Sequence, residues 1–135
     1  MSSITILDTS IFIDDLRTGI HEGRIEALAA PIRTSSVVLA ELWRGATKDS
    51  ERRFLRKLER QHPILTPTEK NWLESGKMLA AIRSGTGLTR EKLRDLHFDV
   101  LIALTARAYG AKLITSNRAD FELICRHRSF SFELW

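Results

Sequence analysis

The chain has 135 residues, of which 43% are hydrophobic and 28% charged, the proportions of an ordinary globular domain. A formal net charge of +4 favours polyanionic partners such as RNA or DNA, and the single cysteine excludes a disulfide framework and a cysteine-based zinc site. No apolar window is long enough to span a membrane and the first residues do not resemble a secretory signal, so we expect a cytoplasmic protein with no membrane partner.

The first third of the chain alternates apolar runs with helical patterns. The predicted elements are strands over residues 4–8 and 32–36 and helices over residues 10–17, 22–30 and 37–47. The first strand ends at Asp8, and Thr9 or Ser10 can cap the helix after it. Glu41 lies in the first turns of the helix that follows the second strand.

The remaining elements continue the alternation. They are helices over residues 49–61, 67–83, 99–106 and 120–127 and strands over residues 64–65, 112–115 and 130–134. Thr66 and Pro67 are the expected N-cap and first residue of the second of these helices, and residues 84–87 are expected to be a loop. Residues 88–96 predict at most a helical turn or two, and no charge follows Asp99 up to Ala106, which predicts a buried helix beginning at Asp99.

This alternation predicts an α/β fold with a parallel or mostly parallel sheet and helices on both faces. Four acids lie at the end of a predicted strand or near the start of a predicted helix. In a parallel α/β sheet these positions are brought together at one edge. The four acids are Asp8, Glu41, Asp99 and Asp120. Gathered carboxylates repel one another unless a cation neutralises them, and oxygen ligands select Mg²⁺ or Mn²⁺. Such an ion can activate a water and stabilise a phosphodiester in transit.

Each acid alone has a simpler explanation. Asp8, Asp99 and Asp120 could each cap the helix that follows, and Glu41 could be a solvated helix residue. All four simple explanations are much less probable together, at these four places, than a shared site.

Four segments resemble PIN-domain ribonucleases, and in particular the VapC toxins of bacterial toxin–antitoxin pairs. They are LDTS at residues 7–10, SVVLAEL at 36–42, DVLIA at 99–103 and LITSNRADF at 113–121. Their order and spacing match the family over essentially the whole chain. The resemblance implies a single PIN domain over residues 1–135, with a three-layer fold, and a metal-dependent endoribonuclease that uses a metal-activated water.

The resemblance also implies roles for individual residues. Asp8 and Asp99 match the acids that act most directly on Mg²⁺, with Mn²⁺ as the alternative, and Glu41 matches the third acid. Asp120 matches the fourth, but Asn117 stands where some relatives have an acid. Asn117 could therefore complete the site in place of Asp120, or orient a ligand or a water. Thr9 or Ser10 could steady a phosphate or a water on the metal, the alternative being helix capping.

The partners implied by the resemblance are an RNA substrate and a small VapB-like antitoxin whose tail covers the toxin groove. Operator DNA would be bound only through the antitoxin, and the toxin would be a homodimer within the larger complex. An apolar groove is expected where the 49–61 helix meets the preceding helix, at Phe54, Leu55, Leu58, Leu42 and Trp43. The alternative is that these residues are core.

Two other functions compete with the nuclease. One is a PIN fold with weak or lost catalysis that acts only through contacts. The other is an aspartyl-phosphate phosphatase of the haloacid dehalogenase type, which needs a second Asp two residues after the nucleophile, where this chain has Ser10.

Overall fold

The computed structural model describes residues 4–135, so residues 1–3 of the predicted domain lie outside the described part. Five strands form one sheet in the order β3-β2-β1-β4-β5. They are β1 (Thr5–Leu7), β2 (Ile32–Ser35), β3 (Ile64–Leu65), β4 (Lys112–Thr115) and β5 (Phe132–Leu134). Every pairing between them is parallel, which confirms the predicted α/β class.

Seven helices of the described chain connect these strands. They are α1 (Thr9–Thr18), α2 (Glu22–Glu26), α3 (Ser36–Gly45), α4 (Asp49–Gln61), α5 (Glu69–Thr86), α6 (Arg90–Ala108) and α7 (Arg118–His127). With the sheet they form the three-layer arrangement expected of the fold. No helix within residues 4–135 is long and apolar enough to cross a membrane.

The centre of the sheet is the point where the chain changes direction. After β1 the chain adds β2 and β3 on one side, and then returns to add β4 and β5 on the other. The backbone N–H of Asp8 donates to the carbonyl of Ile114 at 2.8 Å, which extends the β1–β4 pairing by one residue. Asp8 therefore lies at the carboxyl edge beside this switch point, where open α/β sheets bind ligands.

Helix α6 is a single helix, which corrects the prediction of a buried helix beginning at Asp99. The hydroxyl of Thr89 caps it by accepting the N–H of Lys92 at 3.2 Å. Leu93, Leu96 and Val100 follow at helical spacing, and the last two are fully buried, so the charged segment is the amphipathic first half of the helix. Asp99 lies in mid-helix and cannot be a cap.

Smaller corrections concern the other helix ends. Helix α5 is capped by Thr68, not Thr66, because Asn71 reciprocates the capping hydrogen bond at 3.1 Å. It continues to Thr86 and ends at Gly87, whose positive φ suits glycine, so most of the predicted loop is helical. Helix α7 begins at Arg118 rather than at residue 120, and α2 and β5 are shorter than predicted.

Candidate active site

Asp8 is the buried centre of the acidic cluster, only 3% exposed. Its Oδ2 accepts hydrogen bonds from the Ser10 hydroxyl at 2.7 Å and the Thr115 hydroxyl at 2.9 Å. A longer bond of 3.4 Å from the Ser10 N–H caps α1, so the simple explanation of Asp8 is correct but incomplete. Its Oδ1 is buried without any hydrogen-bond partner among the described residues. A buried carboxylate oxygen in this condition is costly unless a ligand satisfies it.

The hydroxyl groups of Thr9 and Ser10 each donate a hydrogen bond to an acid of the cluster. The Thr9 hydroxyl donates to Glu41 Oε1 at 2.8 Å and so joins the start of α1 to α3. Ser10 Oγ lies 3.2 Å from the Thr115 hydroxyl and accepts the N–H of Ser116 at 3.1 Å. The end of β4 is thereby locked to the start of α1 around Asp8.

The acids raise one another's proton affinity. Burial, together with the negative charges of Asp8, Glu41 and Asp120, raises the pKa of Asp99 to about 9. Burial also raises the pKa of Glu41, and the charge of Asp8 contributes, while the hydrogen bond from Thr9 opposes the rise. Burial is likewise the main reason that the pKa of Asp8 is raised. Without a cation, Asp99 is therefore protonated at neutral pH and shares a hydrogen bond with Asp120.

Asp120 differs from the other three acids because its pKa is lowered rather than raised. Burial acts to raise its pKa, but hydrogen bonds from Asn117 and Lys92 hold the pKa below its ordinary value. Asn117 caps α7, and its Nδ2 donates to Asp120 Oδ2 at 3.1 Å. The amide of Asn117 therefore orients the Asp120 carboxylate, which is one of the roles that the sequence left open for it.

The sequence reasoning missed Thr115 and Lys92. Thr115 ends β4, the parallel neighbour of β1, so its hydroxyl could have been found once β4 was placed beside β1. Lys92 offered no such signal, because the segment carrying it was expected to be separate from the Asp99 helix.

The chemistry of the cluster fits a hard divalent cation. The four acids offer oxygen ligands, Asp8 Oδ1 lacks a partner among residues 4–135, and burial, with the charges of the neighbouring acids added, raises the pKa of Asp99. Among residues 4–135, however, no group of three or more Asp, Glu, His or Cys side chains is arranged to hold an ion as it stands. Binding of a metal ion would therefore require Asp99 to lose its proton. It would also require the side chains of Asp99 and Asp120, which now share a hydrogen bond, to rotate toward the ion.

Two open depressions flank the cluster at Glu41. One, of about 270 Å³, lies between α1, α3 and α4 and has Ile13, Leu16, Leu42 and Leu55 among its lining residues. Of the five residues expected to form an apolar groove, Leu42 and Leu55 line this depression, whereas Phe54, Leu58 and Trp43 do not. Ile13 and Leu16 complete its apolar part, and its remaining walls include Arg17, Glu41 and Glu51. The other depression is larger, about 790 Å³. On its wall the Arg44 guanidinium lies over the Phe98 ring at 5.2 Å.

The parallel sheet and the acids at its switch point define a class of α/β proteins with an acidic site at the sheet edge. The sequence model of the PIN domain matches residues 5–126, and the chain belongs to that family. This membership argues against the phosphatase alternative. A comparison with curated proteins finds no significant match.

Solved structures similar to this chain include several bacterial VapBC complexes. The DNA-bound VapBC of Salmonella typhimurium is 23% identical, with a TM-score of 0.74 and coverage of 100% of this chain and 99% of that one. VapBC2 of Rickettsia felis, bound to a promoter DNA fragment, is 26% identical, with a TM-score of 0.72 and 98% of both chains covered. VapBC-1 of nontypeable Haemophilus influenzae is 25% identical, with a TM-score of 0.69 and the same coverage.

Proposed function

We propose that this chain is a Mg²⁺-dependent endoribonuclease, active also with Mn²⁺, and the toxin of a cytoplasmic toxin–antitoxin pair. The observation that carries the proposal is the buried Oδ1 of Asp8, which has no hydrogen-bond partner within residues 4–135, beside three further acids in a chain of the PIN family. Asp8, Glu41 and Asp99 would hold the ion, and Asp120 is the fourth acid of the cluster. The single PIN domain would extend over residues 1–135.

The chain's own residues prepare the site for this chemistry. Ser10 and Thr115 fix Asp8 Oδ2, which leaves Oδ1 to face a ligand, and Thr9 fixes one oxygen of Glu41. Asp99 gives up its proton when a cation arrives, because the positive charge reverses the effect of its negative neighbours. A bound Mg²⁺ supplies Lewis acidity, which lowers the pKa of a water and offsets the charge of the phosphodiester.

RNA cleavage by the purified protein tests the proposal. Transfer RNA and ribosomal RNA should be cut at discrete sites with Mg²⁺ or Mn²⁺ and remain intact with a chelator. Asp8→Asn and Asp99→Asn should each lower the rate by at least about 10²-fold, since each removes a charge from the site. Asp49→Asn is the matched control, because its side chain is 86% exposed on α4.

Full activity in both site variants would contradict the proposal. Failure of the wild-type protein both to cut any RNA and to take up Mn²⁺ would favour the alternative of a PIN fold that acts only through contacts.

We also propose that the groove between α1, α3 and α4 receives a helix of a VapB-like antitoxin. Support comes from the apolar residues of the groove and from the VapBC complexes that this chain resembles. Leu16 is 47% exposed at the rim and is free to contact such a helix. In this arrangement the toxin is a homodimer, and operator DNA is bound only through the antitoxin.

Co-purification of the toxin with a short protein encoded beside it tests this interface. Leu16→Asp should abolish co-purification while RNA cleavage persists, because burying a carboxylate in the groove is unfavourable. Leu73→Asp is the matched control, since Leu73 is 63% exposed on the distant helix α5. Equal retention of the partner by both variants would show that it binds elsewhere.

A further inference from the structure

Lys92 is a cation that reaches into the acidic cluster. It lies in the first turn of α6, and its Nζ is 3.2 Å from Asp120 Oδ1 and 3.3 Å from Asp120 Oδ2. The Asp120 side chain is 16% exposed and that of Lys92 44% exposed. The ion pair is therefore at the mouth of the site, where the ammonium has access to a ligand.

Asp120 and Asp8, at the two ends of the acidic cluster, differ in how many of their carboxylate oxygens accept hydrogen bonds or ion pairs. Asp120 bonds to Lys92 through both oxygens and to Asn117 through Oδ2. Asp8, at the other end, has an oxygen with no hydrogen-bond partner in the described part of the chain. A divalent ion is therefore attracted to the Asp8 end, while at the Asp120 end a second ion would meet an ammonium of like charge already in place.

Nucleases with two metal ions use the second ion to stabilise charge on the oxygens of the phosphodiester. An ammonium on a flexible stem can supply such a charge as a point cation, and Lys92 can turn from Asp120 to a phosphate without leaving the surface.

We propose that Lys92 takes the place of a second metal ion, so that the site binds one divalent ion per chain and Lys92 contacts the scissile phosphate. The inference rests on the proposed nuclease function. Lys92 is then a catalytic residue, whereas in a purely structural role it would only join α6 to α7.

Titration of the full chain with Mn²⁺ tests the proposal. Calorimetry and the paramagnetic signal of the free ion both measure how many ions bind to each chain. The wild-type protein and Lys92→Arg should each bind one ion. Lys92→Met should bind a second ion at Asp120, or bind the first at least about tenfold more tightly, because it removes the competing charge while preserving side-chain length. Lys77→Met, at an exposed position of α5, is the matched control and should behave as wild type.

Cleavage kinetics give a second readout. At low Mn²⁺ the kcat of Lys92→Met should fall on the order of 10²-fold and be partly restored in Lys92→Arg, with KM less affected. Two bound ions in the wild type, or wild-type metal binding and kcat in Lys92→Met, would overturn the role of Lys92 alone. An absence of Mn²⁺ uptake by the wild type would overturn the one-ion site, and if RNA cleavage were absent too it would overturn the proposed function as well.

Discussion

At the scale of single residues, Asp99 shows most clearly that the fold disfavours the ionised form of an acid in the candidate active site. The side chain is placed in mid-helix among three other acids, and burial together with their charge raises its pKa to about 9 from an ordinary value of 3.8. In the unfolded chain the same group ionises near pH 4. The folded, metal-free protein therefore binds a proton at neutral pH that the unfolded chain has lost, and this difference links stability to pH.

The sign of this linkage predicts a pH-dependent stability. The contribution of Asp99 is most favourable below about pH 4 and is lost progressively as the pH rises toward 9. Asp99→Asn removes the ionisable group, so the metal-free variant should exceed the wild type in stability at pH 8 by an amount on the order of 5 kcal/mol, and by much less at pH 5. Urea unfolding in the presence of a chelator at pH 5 and pH 8 measures this difference. A variant no more stable than wild type at pH 8 would show that Asp99 is ionised at little cost.

At the scale of secondary-structure elements, most of the strands and helices could be predicted, since each is a short apolar or amphipathic run between capping residues. Helix α6 could not be predicted as one helix. Its apolar residues lie on one side before Asp99 and on all sides after it, and this change in pattern is what two separate elements would also produce. The error mattered for function, since Lys92 and Asp99 lie on one continuous helix. The four acids could nevertheless be proposed from the sequence, because each lies close to the carboxyl end of a strand in the sheet or on a buried helix.

The continuity of α6 predicts a large effect at Leu96, which is fully buried in the first half of the helix. Leu96→Ala should lower the free energy of unfolding by about 2–4 kcal/mol, because it leaves a cavity in the core. Arg94→Ala, two residues earlier at an exposed position, should change stability by less than about 0.5 kcal/mol. Chemical denaturation of both variants measures the contrast. A loss below about 1 kcal/mol at Leu96 would fit the peripheral turn expected from the sequence pattern.

At the scale of the whole molecule, the parallel sheet brings together residues that are more than a hundred positions apart in the chain. Asp8 and Thr115 bond across β1 and β4 because the two strands are neighbours at the switch point. The sequence pattern predicted that the acids converge at this edge of the sheet, but it predicted neither the role of Thr115 nor the state of the side chains. Which carboxylate holds a proton, and which oxygen lacks a partner, depends on burial and on hydroxyl donors whose positions only the folded chain defines.

The central claim is that these acids form one cation site whose charge is balanced by a proton until the metal binds. Calorimetric titration with Mn²⁺ at pH 7.5, in buffers of different ionisation enthalpy, measures metal uptake and proton release together. We predict that the wild-type protein releases close to one proton for each ion bound, that Asp99→Asn binds more weakly without this release, and that Asp8→Asn does not bind. Metal binding without proton release, or binding that is unchanged in both variants, would contradict the account.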